Sequence, residues 1–133
     1  MKRFLKVLFI TLACIIASAA IFFMIFNWGM SEVKKMQIKD ISISQIADGE
    51  YLGEYKNGRW QYVVKVVVRD KRIEDIQILN QKSGFIDMNL YGEVNESIIS
   101  RVLKNQSLKV DVVTGATVTS KALLKAIETA LER

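Results

Sequence analysis

The sequence predicts an α+β fold: a small antiparallel sheet covered by two helices and preceded by one N-terminal transmembrane helix. Three observations predict it. No charged residue occurs from Val7 to Trp28. The run Trp60 to Arg69 alternates with period two, as a strand does, and two later stretches repeat apolar residues at helical spacing. The 133 residues leave room for one small domain once the apolar span is subtracted. The predicted organisation is an anchor over 1–30, a tether over 31–46 and a domain over 47–133.

At about 1.5 Å of rise per residue the uncharged run reaches roughly 33 Å, enough to cross a hydrocarbon core of roughly 30 Å. The alternatives are a core helix or a cleaved signal peptide. A domain of this size offers little interior for a helix apolar all round. Cleavage at Ala17-Ser18-Ala19 would leave Ala20 to Phe26 exposed on the mature N-terminus, so a retained signal anchor is expected. Leu12-Ala13-Cys14 is similar to a lipoprotein box, but Thr11 fits its first position poorly and the apolar run continues, so Cys14 reads as a membrane residue. Lys2, Arg3 and Lys6 precede the span, whereas Glu32, Lys34 and Lys35 follow it with mixed sign. The positive-inside rule then places the N-terminus in the cytoplasm and the domain outside, in a single-pass membrane protein. Trp28 and Asn27 fit the interfacial boundary, and Ser31 to Lys39 reads as a polar, helical tether.

Net charge is +5, from 19 Lys+Arg against 14 Asp+Glu, and the basic N-terminal tip accounts for part of it. That placement points to membrane lipid as a partner and not to nucleic acid. With no histidine and one cysteine, the chain lacks imidazole acid–base chemistry, His-bearing metal sites and any internal disulfide. There is no proline, repeat or low-complexity tract.

Within the domain, Asp48 to Tyr55 predicts a first strand, and Lys56-Asn57-Gly58-Arg59 carries the Asn-Gly pair of a tight hairpin turn. Trp60, Tyr62, Val64, Val66 and Val68 share one face of a central strand. Asp70-Lys71 turn the chain into a third strand, Ile73 to Leu79, whose alternation slips near Asp75 and predicts a bulge. Gln81 to Glu93, with Gly84 and Gly92, reads as a loop of the length that often lines sites. From Glu93 to Asn105 an amphipathic helix places Ile98, Ile99, Val102 and Leu103 inward, with Asn95 a candidate N-cap. A last helix over Thr119–Leu131 turns Leu123, Leu124, Ile127 and Leu131 to the sheet.

Between these helices lies Asp111-Val112-Val113-Thr114-Gly115-Ala116-Thr117-Val118-Thr119-Ser120, an extended run that turns through glycine into a helix start. Gly115 permits close backbone approach, Ala116 leaves space, and the free N–H groups of a helix N-terminus favour a phosphate. Thr114, Thr117, Thr119 and Ser120 add hydroxyls. Ordinary Ser/Thr helix capping accounts for the same residues without a ligand, and on physical grounds both readings stand.

Asp111 to Thr117 resembles the flavinylation motif Asp-x-x-(Ser/Thr)-Gly-Ala-Thr of the FMN-binding domains in the small C- and G-type subunits of sodium-pumping and Rnf-type oxidoreductases. The similarity runs from Asp48-Gly49-Glu50-Tyr51-Leu52-Gly53, which resembles the opening strand of short bacterial members, through Lys121 to Ile127. The resemblance implies FMN joined through a phosphoester to Thr117. It implies that Asp111 and Thr114 form part of the signal read by a flavin transferase, and that Gly115 and Ala116 give clearance around the phosphate. Thr119 and Ser120, whose hydroxyls crowd the same turn, complete the candidate cofactor-binding set. Threonine is a weak nucleophile and no histidine activates it, so a separate transferase is required. Many short members carry a Gly/Pro-bearing loop after the third strand, where this chain has Gln81 to Met88. Tyr51, Tyr55, Trp60, Phe85 and Tyr91 are candidates to stack on the flavin, or are core.

The expected function is an extracytoplasmic electron carrier, an electron-transfer flavoprotein or subunit and not a stand-alone enzyme. Its expected partners are a flavin transferase and redox donor and acceptor proteins or a quinone. A non-covalent FMN module, or a flavin-free interaction domain of the same fold, are the alternatives.

Overall fold

A computed structural model of the chain describes residues 1–28, 30–58, 60–83 and 91–132. Helix α1, Lys2–Asn27, buries none of its residues against the domain. It is long and apolar enough to cross a membrane. Three uncharged polar side chains within it bond to the helix itself: the Thr11 and Ser18 hydroxyls donate to the Leu8 and Ile15 carbonyls at 2.9 Å each. The Asn27 amide donates to the Phe23 carbonyl at 2.9 Å. Such internal pairing is what a helix in hydrocarbon requires.

Three antiparallel strands, β1 (Gly49–Asn57), β2 (Trp60–Arg69) and β3 (Arg72–Ser83), form one sheet in the order β1-β2-β3. The alternation of β2 translates directly into burial, for Trp60, Tyr62, Val64, Val66 and Val68 all lie in the core. Helix α4, Thr117–Leu131, crosses that face over β1 and β2. It sits so close that a Cβ built on Gly53 would be 2.1 Å from the Ala126 carbonyl oxygen and 2.5 Å from the Ala130 nitrogen. Gly53 and the small residues Ala126 and Ala130 therefore set the spacing between helix and sheet. Helix α3, Gly92–Asn105, packs against α4 and β3.

The slip expected near Asp75 is a register shift in which Val67 pairs with Asp75 and Val68 with Ile73. A second shift between Val63 and Val64 leaves Leu79 as an extra, exposed residue of β3. The β2–β3 turn holds Asp70 and Lys71 at φ of 51° and 61°. That is the left-handed pair a two-residue hairpin demands.

Three local expectations are corrected. β3 continues to Ser83, into the stretch read as a loop, because Gln81 has buried partners. Its amide donates to the Tyr62 hydroxyl at 2.7 Å and accepts from the Asn95 amide at 2.6 Å, while Tyr62 donates to Asn95 Oδ1 at 3.0 Å. Asn95 is thus a member of a closed buried ring and not an N-cap. α3 begins earlier, with Tyr91 at its N-cap position and no side-chain cap. Residues 84–90 of the expected loop lie outside the described residues.

Of the segment read as a tether, only the start is α-helical, within helix α2 (Met30–Lys35), and a single 3-10 turn follows at Ile43–Gln45. Val33 is wholly buried, Ile43 is buried, and Met36, Ile38, Ile41 and Ile46 pack against the core. Polar bonds strap the same segment down. Lys121 Nζ donates to the Lys34 and Met36 carbonyls, and the Lys39 N–H donates to Glu128 Oε2 at 3.0 Å. Asp40 Oδ1 accepts from Ser107 Oγ at 2.9 Å.

Candidate functional site

The run Asp111 to Ala116 reaches α4 through a turn in which Gly115 has φ 81° and the Ala116 N–H donates to the Val113 carbonyl at 2.9 Å. A Cβ added at Gly115 would meet nothing within 4 Å. Glycine is required here by the left-handed backbone, and the space beside it is open.

α4 starts at Thr117, two residues before the expected Thr119. Ala116 holds the N-cap position with no side-chain cap bond. Capping therefore does not account for the hydroxyls around it. The four have different surroundings. Ser120 is wholly buried, and its Oγ accepts the Val113 N–H at 3.2 Å, tying the extended run to the helix. Thr119 is buried, Thr117 half-buried and Thr114 exposed.

A cleft of about 290 Å³ is lined by Gly115, Ala116, Thr117, Val118 and Thr119 on one side and by Met30, Lys34, Trp60 and Tyr91 on the other. Asp111 and Thr114 are not among its lining residues. They line a separate open depression of about 660 Å³ with Ser97, Ser100, Arg101 and Lys104, where Arg101 Nη1 donates to the Asp111 carbonyl at 2.6 Å. The structure thus brings Gly115, Ala116, Thr117 and Thr119 together, sets Asp111 and Thr114 in a separate depression, and puts Ser120 in the core.

Of the aromatic candidates, Trp60 and Tyr91 reach the cleft. Tyr51 and Tyr55 pack against the core, the Tyr51 hydroxyl donating to the Ala47 carbonyl at 2.6 Å, and Phe85 lies outside the described residues. Met30 and Lys34 are additions that sequence reasoning missed, because Met30 read as the end of the anchor and Lys34 as part of the tether.

The cleft fits a flavin nucleotide. The first N–H groups of α4 have no intrahelical acceptor and carry the positive end of the helix dipole, which suits a phosphate. Thr117 Oγ sits on that same turn, Lys34 adds a cation, and Trp60 and Tyr91 supply aromatic walls. The volume falls just below the roughly 300–1,000 Å³ of ligand pockets, so it encloses part of such a molecule and leaves the rest at the surface. Comparison with known families agrees: the model of the FMN-binding domain matches residues 28–132. That match takes in the sheet, both covering helices, the strapped segment and the cleft, so the chain belongs to the FMN-binding domain family and has FMN as its cofactor.

Proposed function

We propose that the protein is a membrane-anchored electron carrier whose extracytoplasmic domain holds FMN through a phosphoester at Thr117. The observation that carries this reading is the position of Thr117. It is the first residue of α4, half-buried, beside open space at Gly115, with its hydroxyl not needed as a helix cap.

FMN supplies one- and two-electron transfer when bound. The chain supplies place and surroundings. The α4 N-terminus and Lys34 bind the phosphate, Trp60 and Tyr91 limit water beside the ring system, and Thr117 Oγ provides the point of attachment. The bond formed joins Thr117 Oγ to the flavin phosphate. The bond broken is the phosphoanhydride P–O bond of an activated flavin dinucleotide, whose nucleoside monophosphate leaves with the hydroxyl proton, so the chain gains one FMN less one water. No histidine is present to accept that proton, so a flavin transferase supplies the base. Redox proteins or a quinone are the donor and acceptor in this reading.

The helix N-terminus and Lys34 also support a second reading, in which the phosphate is held without an ester. Intact mass of the full chain in detergent, produced with and without a co-expressed flavin transferase, separates the two. The covalent reading expects a gain of one FMN less water only with the transferase, and none in Thr117→Val. Flavin released by denaturation with no mass gain supports the second reading, and overturns the first.

A further inference from the structure

The cofactor cleft shares a wall with the residues that leave the membrane helix. α1 ends at Asn27, and Met30, three residues later, already lines the cleft with Thr117. Three residues span at most about 11 Å even when fully extended. A Cβ on Gly58, in the β1–β2 turn, would lie 3.8 Å from the Trp28 carbonyl oxygen, so this hairpin abuts the end of the anchor. Asn57 Nδ2 donates to Glu32 Oε2 at 3.2 Å, fastening the hairpin to α2. The connection is not a free swivel, because Val33 is buried and α2 and its continuation are strapped to α4 by Lys121 and Glu128. The opposite end of the domain is marked by the Asp70-Lys71 turn. It lies beyond the ten residues of β2, which span roughly 30 Å.

We propose that the end of the domain bearing the Thr117 cleft is seated on the bilayer surface, against anionic lipid headgroups. The electron exchange proposed above then takes place at the membrane face, and that last clause rests on the carrier reading. Charge favours this occupant. Lys34, Lys35 and Lys56 are exposed on α2 and at the end of β1, while Glu32, the acidic residue of α2, is turned to Asn57. Basic residues beside a span are drawn to anionic headgroups. Trp28 is 79% exposed at the end of α1, where an indole suits the interface. Lys34 then serves both surfaces, its chain lying between the headgroups and the cleft.

The test places a fluorophore on a Thr117→Cys, Cys14→Ser full chain and, for comparison, on Lys71→Cys, Cys14→Ser. Both are reconstituted into phosphatidylcholine/phosphatidylglycerol vesicles containing headgroup-nitroxide lipid. Nitroxide quenching is short-ranged, so the label at position 117 is expected to be quenched several times more than the one at 71. Equal quenching, or stronger quenching at 71, overturns the seating. Reversing charge with Lys34→Glu, Lys35→Glu and Lys56→Glu is expected to lower quenching at 117 on these vesicles but not on pure phosphatidylcholine. An unchanged value overturns the headgroup assignment. The flavin's own fluorescence in loaded chain without these substitutions gives a second readout, independent of labelling. The cysteine label in turn reports position without flavin, so failure of attachment at Thr117 and failure of the seating are separate results.

Discussion

Glu128 Oε2 accepts the backbone N–H of Lys39 at 3.0 Å, joining the helix that begins at Thr117 to the segment that follows the long apolar helix α1. The other carboxylate oxygen receives the Lys125 ammonium at 2.6 Å, and the Glu128 side chain is wholly buried. One acidic residue therefore fastens two parts of the chain 89 positions apart. Glu128→Ala is expected to destabilise the domain by roughly 2 kcal/mol, chiefly from the unsatisfied Lys39 donor; the ion pair is discounted because Lys125 remains partly exposed. Urea unfolding of the detergent-solubilised chain measures it. A loss too small to resolve would mean that water replaces the carboxylate and that the strap is not structural.

Gly53→Ala is expected to cost at least about 2 kcal/mol, since the added Cβ meets helix backbone and not a flexible side chain. α4 must shift to admit it. Flavin loading at Thr117 should fall with stability, because the same helix carries both. Thermal unfolding and intact mass, read together on one preparation, check this; normal stability and loading would contradict the close approach.

Gly115→Ala tests a different demand. There is room for the methyl group, so the cost is that of holding a non-glycine residue at φ 81°, about 1 kcal/mol. The turn is expected to relax toward other conformations and lower the rate of flavin attachment while the fold persists. Attachment at the parental rate in the folded variant would show that the left-handed turn is not needed for it.

Tyr62→Phe removes one hydroxyl from the ring formed with Gln81 and Asn95. Both amides lose a partner in the core, for an expected loss of roughly 1–3 kcal/mol. Amide hydrogen exchange at the start of α3 should accelerate, since Asn95 anchors it there. Unchanged protection would place the stability of α3 elsewhere.

The parts legible from sequence are those where a local pattern dictates the outcome. The period-two run Trp60–Arg69 is β2 to the residue. The slip near Asp75 is a register shift, and the uncharged N-terminal run is an unburied helix. The motif from Asp111 to Thr117 pointed to the family that the domain match establishes. Less legible were residues whose role depends on a distant partner. Asn95 looks like a cap from its neighbours but pairs with Tyr62, and Gln81 belongs to a strand because of that same ring. Val33, Met36, Ile38, Ile41, Ile43 and Ile46 follow neither a helical nor a strand period, so their shared burial against the core left no periodic signal.

By itself the sequence determined the α+β class, the long apolar N-terminal helix, the central strand and the glycine turn before the last helix. Each is encoded in side-chain period, hydropathy or backbone freedom over a few neighbouring residues. Only the tertiary structure decided that Met30 and Lys34 wall the cleft with Thr117, that Asp111 and Thr114 line a separate depression, and that Ser120 is spent on holding Val113. These outcomes depend on how close α4 can approach β1 at Gly53 and on which chain segment then covers its flank. Contacts between residues far apart in the chain arise from packing, and no short window of sequence contains them.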